Sequence, residues 1–475
     1  MFVGRARELS DLERMLRMVR RPGGREDRGQ AVLVRGRRRI GKSRLVEELV
    51  TRSGLPSVTF QAARHADARA ELAGLMEAVS ASSLPGAALA AGQSPATLTA
   101  ALTLLAGALD SGSPSVVVID EAPWLLEQFP GGAGELQRVW DRTMRRLPVL
   151  LVLIGSDVSA MEQLAAPAAP FHGRATPMLI GPLTPRDVAG MTELPAFEAL
   201  DAFLITGGQP LVAQAWERGM SRKDFLTEQL ATSLSPLVVS GTRVLDAEFT
   251  EASVARQVLT SIGGSGERTF GGIQNARSGA LNADTLSRTL RMLEDRGVVA
   301  SELPVSTRAG AKLRRYRIED PALRFHLAFV EPALAEVDRG RGDLALARVR
   351  AGYKAWRGRA VEPVVREALC RLMSTADWGD VGAVGGWWPR NNVPEIDVVA
   401  ADANPARRVA AVGTIKWRRA PVTRSEVAQL AADAVQVPGV VPTTPLVAIC
   451  PGGAEDTSSL RAVWTAEGLL EAWPA

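Results

Sequence analysis

The sequence predicts an α/β fold built on a parallel sheet, and three observations lead to that prediction. The first is the succession of a strand-like run, a glycine-rich loop and a helical pattern within residues 31–50. The second is the run Val116-Val117-Val118-Ile119, whose β-branched side chains suit a strand buried on both faces. The third is the alternation of apolar strand-like runs with helical patterns along the first part of the chain, which is typical of parallel sheets covered by helices.

The loop in the first of these segments has the pattern of a phosphate-binding loop. Residues Gly36 to Ser43 fit G-x-x-x-x-G-K-[ST], between an apolar strand and a helix. Backbone N–H groups and the positive end of the helix dipole then point at phosphate oxygens. We expect Lys42 to reach the β- and γ-phosphates of ATP and the Ser43 hydroxyl to ligate Mg²⁺. The loop residues assigned to the nucleotide site are Gly36, Arg38, Arg39, Ile40, Gly41, Lys42, Ser43 and Arg44. The alternative is a basic surface turn.

A pair of carboxylates, Asp120 and Glu121, follows the buried strand at 116–119. Ligands of open α/β sheets bind at the carboxyl ends of the strands, so this pair is expected beside the phosphates. Asp120 would hold Mg²⁺ through water, and Glu121 would orient and polarise the attacking water. The alternative is a buried strand that ends in two solvated carboxylates.

Length and composition set the limits of the remaining prediction. The chain has 475 residues, which favours two to four domains, and its net charge of +4 with a pI of about 9.4 gives mild support to a nucleic-acid partner. The many arginines are also consistent with a GC-rich genome. The only cysteines, Cys370 and Cys450, lack metal-ligand spacing, so we expect a reducing, cytoplasmic environment. We expect no signal peptide, because residues 1–5 lead at once into a charged amphipathic helix. We expect no membrane association, because the longest apolar run, at 149–154, is too short to span a bilayer.

The chain is predicted to divide into four regions: a nucleotide-binding core at 1–181, a helical lid at 182–244, a winged helix-turn-helix at 245–335 and a small α/β domain at 336–475. In the core the expected strands are 31–35, 57–61, 115–120, 149–154 and 178–180. The lid lacks strand-like runs. In the third region three helical patterns precede a hairpin of strands 298–302 and 314–318, with Asn282 as an N-cap and Gly297 ending the last helix.

The last region alternates again between helix and strand. A helix is expected at 361–373 and another at 425–434, with strands at 395–400, 409–417 and 445–450. Residues 385–390, Gly-Gly-Trp-Trp-Pro-Arg, are expected to form an unusually aromatic loop.

Several motifs together resemble those of archaeal-type P-loop ATPases in the AAA+/STAND branch. Phe2-Val3-Gly4-Arg5 with Glu8 is similar to the box that precedes the phosphate-binding loop in that family. Other matching segments are the extended acidic segment Asp120 to Trp124, Gly155-Ser156 at the sensor-1 position, Phe171 to Arg174 at the Gly-Arg motif, Gly207 to Pro210 in the lid, and Tyr316 to Pro321 after the winged helix.

This resemblance implies roles for further residues. Val3, Gly4 and Arg5 would line the nucleotide site, and Pro210 would touch adenine. Ser156 would sense the γ-phosphate, or alternatively cap the helix that follows. Arg174 would enter a neighbouring subunit as an arginine finger in a homo-oligomer, with three rival arginines nearby: Arg142, Arg145 and Arg146.

The last region looks like a nuclease-like domain of the PD-(D/E)xK type. By that resemblance Glu362 is the first acid, Asp397 the central metal ligand and Lys416 the catalytic lysine. Thr414 stands where a second carboxylate is expected, and Glu395, on the same strand face as Asp397, is a candidate to compensate. We therefore expect a degenerate domain that binds nucleic acid or is structural, with an active nuclease as the alternative.

The function these features favour is a Mg²⁺-dependent ATPase that acts as a switch or assembly and engages DNA. Two alternatives remain: a signalling ATPase whose winged helix is a protein-interaction module, and an ATP-licensed DNA nuclease. Basic residues of the hairpin are expected to favour contact with the DNA backbone: Arg308, Lys312, Arg314, Arg315 and Arg317. Arg288 and Arg291 of the preceding helix could reach a groove, but they show no pattern for reading bases. The alternative is a basic hairpin that is only solvated. The sequence does not distinguish an ATP-driven motor from a switch.

Overall fold

A computed structural model describes residues 2–20, 29–167, 169–248, 254–264, 266–276, 281–308 and 313–474. The chain divides into two compact units, Met1–Pro182 and Leu183–Ala475. None of the described helices is both long and apolar enough to cross a membrane.

The first unit contains a five-stranded parallel sheet in the order β2-β3-β4-β1-β5. Its strands are β1 (Gln30–Arg35), β2 (Ser57–Gln61), β3 (Ser115–Asp120), β4 (Val149–Gly155) and β5 (Thr176–Leu179). Its helices are α1 (Ala6–Arg20), α2 (Lys42–Ser53), α3 (Ala68–Ser80), α4 (Leu98–Gly107), α5 (Ala122–Glu127), α6 (Gly132–Arg142) and α7 (Val158–Ala165). The predicted α/β class with a parallel sheet is confirmed.

Side chains of a strand alternate between the two faces of a sheet, and here both faces are apolar and are covered by helices. Val32 and Val34 of β1 pack with residues of α1 and α2, whereas Ala31 and Leu33 pack with residues of α3, α4 and α6. Strands β1 and β3 lie on either side of β4 and run parallel to it. The loop after β1 and the carboxylates after β3 therefore lie together at the C-terminal ends of the strands. The predicted strand 178–180 begins two residues after the start of β5 and ends one residue after its end.

The second unit begins with helices α8 (Pro185–Thr192), α9 (Ala196–Thr206), α10 (Pro210–Gln214), α11 (Arg222–Gln229) and α12 (Pro236–Glu248). Next come helix α13 (Val254–Ile262), strand β6 (Arg268–Thr269), helices α14 (Phe270–Gln274) and α15 (Ala283–Asp295), and strands β7 (Val299–Glu302) and β8 (Arg315–Ile318). The three strands form an antiparallel sheet in the order β6-β8-β7. Asn282 caps α15 by accepting from the backbone N–H of Asp284, and Gly297 follows the helix with a φ of 62°, as predicted.

The rest of the second unit holds helices α16 (Pro321–Phe325), α17 (Leu334–Asp338), α18 (Gly342–Leu372), α19 (Arg424–Ala434) and α20 (Ala466–Leu470). Its mixed sheet has the order β13-β12-β11-β10-β9, formed by β9 (Ala383–Trp387), β10 (Ile396–Ala401), β11 (Val409–Ile415), β12 (Leu446–Ile449) and β13 (Ala462–Trp464).

One prediction for this part is incomplete and one is wrong. The helix expected at 361–373 is present as far as Leu372, but it is the end of the longer helix α18, which has 31 residues and includes Pro363. The aromatic loop at 385–390 begins inside β9, because Gly385 and Trp387 pair with β10. The division into four domains stays a prediction.

Candidate nucleotide-binding site

The loop between β1 and α2 has a backbone that requires glycine at two positions. Gly41, which precedes α2, has a φ of 89°, in the left-handed region that glycine adopts without strain. A Cβ on Gly36 would lie 2.4 Å from the carbonyl oxygen of Ile180, so a larger residue would push the loop away from the end of β5. These constraints hold the loop in the conformation that leads into the N-terminus of α2.

Lys42 is the first residue of α2 and is only 6% exposed. Its Nζ donates hydrogen bonds to the carbonyl oxygens of Gly36 at 2.8 Å and Arg37 at 3.0 Å. Burial lowers the pKa of Lys42, and the neighbouring carboxylates of Glu121 and Asp120 counteract part of this effect. The ammonium group is therefore held inside the loop, where phosphate oxygens would offer stronger acceptors than the two carbonyls.

Ser43 and Asp120 meet although they are 77 residues apart. The Ser43 hydroxyl donates to Oδ2 of Asp120 at 2.6 Å, and the backbone N–H of Glu121 donates to Oδ1 at 2.9 Å. A hydroxyl and a carboxylate are hard oxygen ligands, which suit Mg²⁺. Within the described ranges no three His, Cys, Asp or Glu residues are grouped as a metal cage. The hydroxyl of Ser43 and the carboxylate of Asp120 fit Mg²⁺, which keeps several waters and takes phosphate oxygens as ligands.

Glu121 stands at the turn from β3 into α5 with a φ of 52°. Its Oε2 accepts hydrogen bonds from the backbone N–H of Ser156 at 3.1 Å and from the Ser156 hydroxyl at 3.0 Å. Nε of Arg38 lies 3.4 Å from the same hydroxyl, so the loop, β3 and the end of β4 meet at one point. The alternative of Ser156 as a helix cap is wrong, because Asp157 caps α7 by accepting from the backbone N–H of Ala160.

Arg5 connects the N-terminal segment to the phosphate-binding loop. The residue is 5% exposed, and its guanidinium donates to the carbonyl oxygens of Ile40 at 2.9 Å and Gly181 at 2.6 Å. A third bond runs to Glu8 at 3.1 Å. These contacts bring the predicted box at 2–5 to the loop. Direct contact of Val3, Gly4 or Arg5 with the nucleotide stays a prediction.

The remaining residues of the predicted nucleotide site have the following positions. Arg174 donates through Nε to both carboxylate oxygens of Asp141, at 2.9 and 3.0 Å, and the two side chains are 29% and 31% exposed. Pro210 is the first residue of α10, after Gly207 and Gly208 with φ values of 59° and 65°. The roles of Arg174 and Pro210 stay predictions. Arg39 has a φ of 63°, and Arg44 pairs on the surface with Glu47.

The hairpin β7–β8 corrects the prediction that its arginines face DNA. Arg315 donates to Glu395 at 2.6 Å and to Glu267 at 3.3 Å, and its side chain is 12% exposed. Arg317 pairs with Glu302 at 2.7 Å and also with Glu319, and its side chain is 10% exposed. Both guanidinium groups are committed to carboxylates. Arg314 and Arg308 are the described candidates left in the hairpin, and Lys312 lies outside the described residues.

The segment after β7 packs against the C-terminal sheet. The backbone N–H of Val305 donates to the carbonyl oxygen of Gly386 at 2.9 Å, and that of Thr307 donates to Pro438 at 3.1 Å. The indole N–H of Trp388 donates to the carbonyl oxygen of Leu313 at 3.0 Å, while Arg315 lies over the Trp388 ring. This side of the hairpin is therefore covered by the C-terminal part of the second unit.

The C-terminal site does not have the geometry of a metal centre. Oδ2 of Asp397 accepts from the Thr414 hydroxyl at 2.9 Å and from the backbone N–H of Ile415 at 2.8 Å. Glu362 pairs with Arg366 at 3.1 Å, and Glu395 pairs with Arg315 and Arg359. Lys416 is half-buried. The expectation that Glu395 compensates for Thr414 is wrong, because two arginines already hold its carboxylate.

Arg366 occupies the centre of this cluster. Its side chain is 7% exposed and contacts Glu302 at 2.8 Å, Glu362 at 3.1 Å and the carbonyl oxygen of Asp397 at 3.0 Å. An Arg cation among these oxygens supplies the positive charge that a metal would otherwise bring, so the residues do not fit a bound Mg²⁺. Sequence reasoning missed Arg366. Its position four residues after Glu362 on one helix was the available signal.

The chain is similar to one protein family and to several solved structures. A family model described as DUF234, archaea bacterial proteins of unknown function, matches residues 326–430. No curated protein matches the chain. The similar structures include a Walker-type ATPase of Pyrococcus abyssi, with 18% identity, 69% of this chain and 96% of that chain covered, and a TM-score of 0.45.

Two further similar structures come from Aeropyrum pernix. The ORC2 protein in its ADPNP–ADP complexes has 13% identity, covers 74% of this chain and 97% of its own, and has a TM-score of 0.45. The ORC1 protein in complex with DNA has 19% identity, covers 74% of this chain and 95% of its own, and has a TM-score of 0.34. The parallel sheet and the loop before α2 place the first unit of this chain in the P-loop fold class.

Proposed function

We propose that this protein is a Mg²⁺-dependent ATPase that acts as a nucleotide-controlled switch or assembly. The observation that carries the proposal is the hydrogen bond of 2.6 Å between the Ser43 hydroxyl and Asp120, directly beside Lys42. This pair joins the phosphate-binding loop to the acidic end of β3, which is the arrangement that Mg²⁺-bound triphosphate requires. Bound Mg²⁺ would neutralise charge on the β- and γ-phosphate oxygens.

The chain's own residues have distinct tasks in this proposal. The N-terminus of α2 and the loop backbone bind phosphate oxygens, and Lys42 exchanges its two carbonyl partners for them. Ser43 and Asp120 hold the metal side of the triphosphate. Glu121 orients the attacking water and accepts its proton, and Ser156 fixes the carboxylate in place.

Calorimetric titration with ATP tests the proposal. Lys42→Ala is expected to lower ATP affinity at least tenfold, because it removes a charge-assisted contact worth about 1.5–3 kcal/mol. Arg52→Ala is the matched control, since Arg52 lies at the other end of α2 and pairs on the surface with Glu48 at 2.8 Å. Equal ATP affinity of the wild type and the Lys42→Ala variant would contradict the assignment of the loop.

We further propose that the protein engages nucleic acid and that α15 takes part. Arg288 and Arg291 lie on its exposed face and, with Asp284 and Ser287, line a concavity of about 400 Å³. DNA binding measured with and without Arg288→Gln and Arg291→Gln tests this role. Nucleotide content and turnover of the purified protein, with and without DNA, distinguish a slow, nucleotide-loaded switch from a motor.

A second candidate function is supported by the position of the hairpin. Because β7–β8 and the segment after β7 pack against the C-terminal sheet, the three-helix region around α15 is built into a larger body of protein. This favours a protein-interaction role for that region. If the purified protein hydrolyses ATP but binds neither single-stranded nor duplex DNA at low salt, the protein-interaction role is favoured over nucleic-acid binding.

A further inference from the structure

The second unit contains a basic concavity that the proposed ATPase chemistry does not use. It lies between α11 and α18 and has a volume of about 330 Å³. Five of its nine lining residues are cationic, and none of the nine is acidic: the cations are Arg222, Lys223, Arg350, Lys354 and Arg357. Leu226, Leu346 and Val349 form its apolar part. We call this concavity the α11–α18 groove.

The helical repeat explains why these cations share one surface. Arg350, Lys354 and Arg357 are separated by four and three residues on α18, so they lie on the same face. With a rise of about 1.5 Å per residue they extend over about 10 Å of the helix. One strand of a nucleic-acid duplex presents about three phosphates over such a length, at about 3.4 Å of axis each.

The positive charge of the α11–α18 groove is only partly compensated by the protein. Asp201, which is 5% exposed, pairs with Arg222 at 2.9 Å and with Arg357 at 3.0 Å. Across the described ranges Lys223, Arg350 and Lys354 are exposed and have no ion-pair partner within 4.0 Å. Like charges four residues apart on a helix, such as Arg350 and Lys354, repel each other by about 0.2–0.5 kcal/mol. A bound polyanion would relieve that repulsion.

The floor of the groove is made of buried and mutually paired side chains. Tyr353 is 5% exposed, and the Arg222 guanidinium lies over its ring at 3.9 Å from the centroid. Arg357 also donates to the carbonyl oxygen of Trp417 at 3.1 Å. Asp201, Tyr353 and Trp417 therefore hold the two arginines in fixed positions, while the three exposed cations stand along the rim.

We propose that the α11–α18 groove binds the phosphate backbone of a nucleic acid. The proposal rests on the proposed function that this protein engages nucleic acid, and it names the surface. The hairpin arginines Arg315 and Arg317 are committed to carboxylates, whereas the rim cations of the groove are exposed. The lining of the groove contains no Asn, Gln, Asp, Glu, Ser or Thr, so its contacts are expected to be mainly those of cations with phosphates, and binding is expected to depend little on base sequence.

The test compares two triple variants with the same change in net charge. Lys223→Gln/Arg350→Gln/Lys354→Gln removes the rim of the groove. Arg69→Gln/Arg339→Gln/Arg407→Gln removes three exposed arginines at other positions and is the matched control. Fluorescence anisotropy with a labelled 30-base-pair duplex is measured over a series of salt concentrations, together with the ATP turnover of each protein.

The groove variant is expected to lose at least tenfold in DNA affinity, and the slope of log K against log salt is expected to fall by about 2.7, at about 0.9 for each phosphate contact. The control variant should stay within twofold of the wild type, and both variants should keep basal ATP turnover. Equal losses in the two variants, or none in the groove variant, would overturn the groove assignment while DNA binding by the wild type persists.

Two other outcomes separate the remaining explanations. If the wild-type protein binds no DNA at low salt, the proposed nucleic-acid function and the groove assignment both fail. A second arm measures thermal stability in tripolyphosphate. If tripolyphosphate stabilises the wild type and not the groove variant, while DNA binding is the same in both proteins, the groove is a site for small phosphates and the nucleic-acid assignment is overturned.

Discussion

The Ser156 hydroxyl donates a hydrogen bond of 3.0 Å to Oε2 of Glu121, and the backbone N–H of Ser156 donates to the same oxygen at 3.1 Å. The residue after β4 thus positions the carboxylate after β3. Glu121 is the residue assigned to orient water, so Ser156 acts on hydrolysis through the position of the Glu121 carboxylate.

The contact gives the first prediction. Ser156→Ala is expected to lower ATP turnover at least about tenfold, since a hydrogen bond to a charged group is worth about 1.5–3 kcal/mol, while ATP affinity stays the same. Glu121→Gln should lower turnover at least about 100-fold, because a general base contributes about 10²–10⁴-fold. Steady-state turnover and calorimetry measure the two effects. Ser159→Ala, at an exposed position of α7, is the control, and the same loss in that variant would argue against positioning.

The second prediction concerns the metal ligands. Ser43→Ala should raise the Mg²⁺ concentration needed for half-maximal turnover, because it removes one of two protein oxygens beside the metal position. Ser43→Thr keeps the hydroxyl and should behave like the wild type. Turnover is measured over a Mg²⁺ titration, and ATP affinity in EDTA is the control. An unchanged Mg²⁺ requirement in Ser43→Ala would place the metal elsewhere.

The nucleotide site could be predicted from the sequence because its parts are local. The loop pattern, the apolar strands and the acidic pair each occupy a short segment, and the sheet order then brings Ser43 to Asp120. The strands 57–61 and 115–120 agree with β2 and β3 at both ends. By contrast, the Ser156–Glu121 contact depends on the relative position of two strand ends, which a single sequence does not specify.

The charge cluster of the second unit could not be predicted for the same physical reason. Arg315 and Glu395 are 80 residues apart, and Glu302 and Arg366 are 64 apart. A row of arginines in a hairpin favours a basic surface when it is considered alone. The carboxylates that neutralise Arg315, Glu267 and Glu395, come from outside the hairpin, so only the tertiary structure identifies these pairs.

The third prediction distinguishes two roles of Arg174. If Arg174 acts in a neighbouring subunit, Arg174→Ala loses about 10³-fold or more in turnover. A mixture of Arg174→Ala and Glu121→Gln subunits then recovers activity, because an intact site can face an intact arginine. If the pair with Asp141 is only structural, the variant is less stable, the loss of turnover is small and mixing recovers nothing. Activity assays of the single and mixed proteins decide between the two roles.

The fourth prediction addresses the C-terminal domain. Mg²⁺-dependent cleavage of DNA is expected to be absent, since Arg366 holds Glu302 and Glu362. Arg366→Met should lower the free energy of unfolding by about 3–5 kcal/mol, because it removes the closest cation from buried Glu362 and one of the two cations that pair with Glu302. Arg371→Met removes an exposed pair with Glu367 on the same helix and should cost less than about 1 kcal/mol. Robust cleavage that is lost in Asp397→Ala and Lys416→Ala would restore the nuclease assignment.

The last prediction follows from the burial of Glu362. Burial raises the pKa of Glu362 from 4.5 to about 7, with Arg366 acting against the shift and Asp397 adding to it. A carboxyl whose pKa is raised on folding contributes its full stability below pH 4.5 and loses that contribution as the pH rises to about 7. The difference in pKa corresponds to at most about 3 kcal/mol. Glu362→Gln is neutral throughout, so it should remove this part of the pH dependence.

Urea unfolding followed by tryptophan fluorescence at pH 5 and pH 7.5 measures the change, with Glu367→Gln as the exposed control on the same helix. Parallel stability profiles for the wild type and Glu362→Gln would mean that Arg366 compensates the burial of this carboxylate in full.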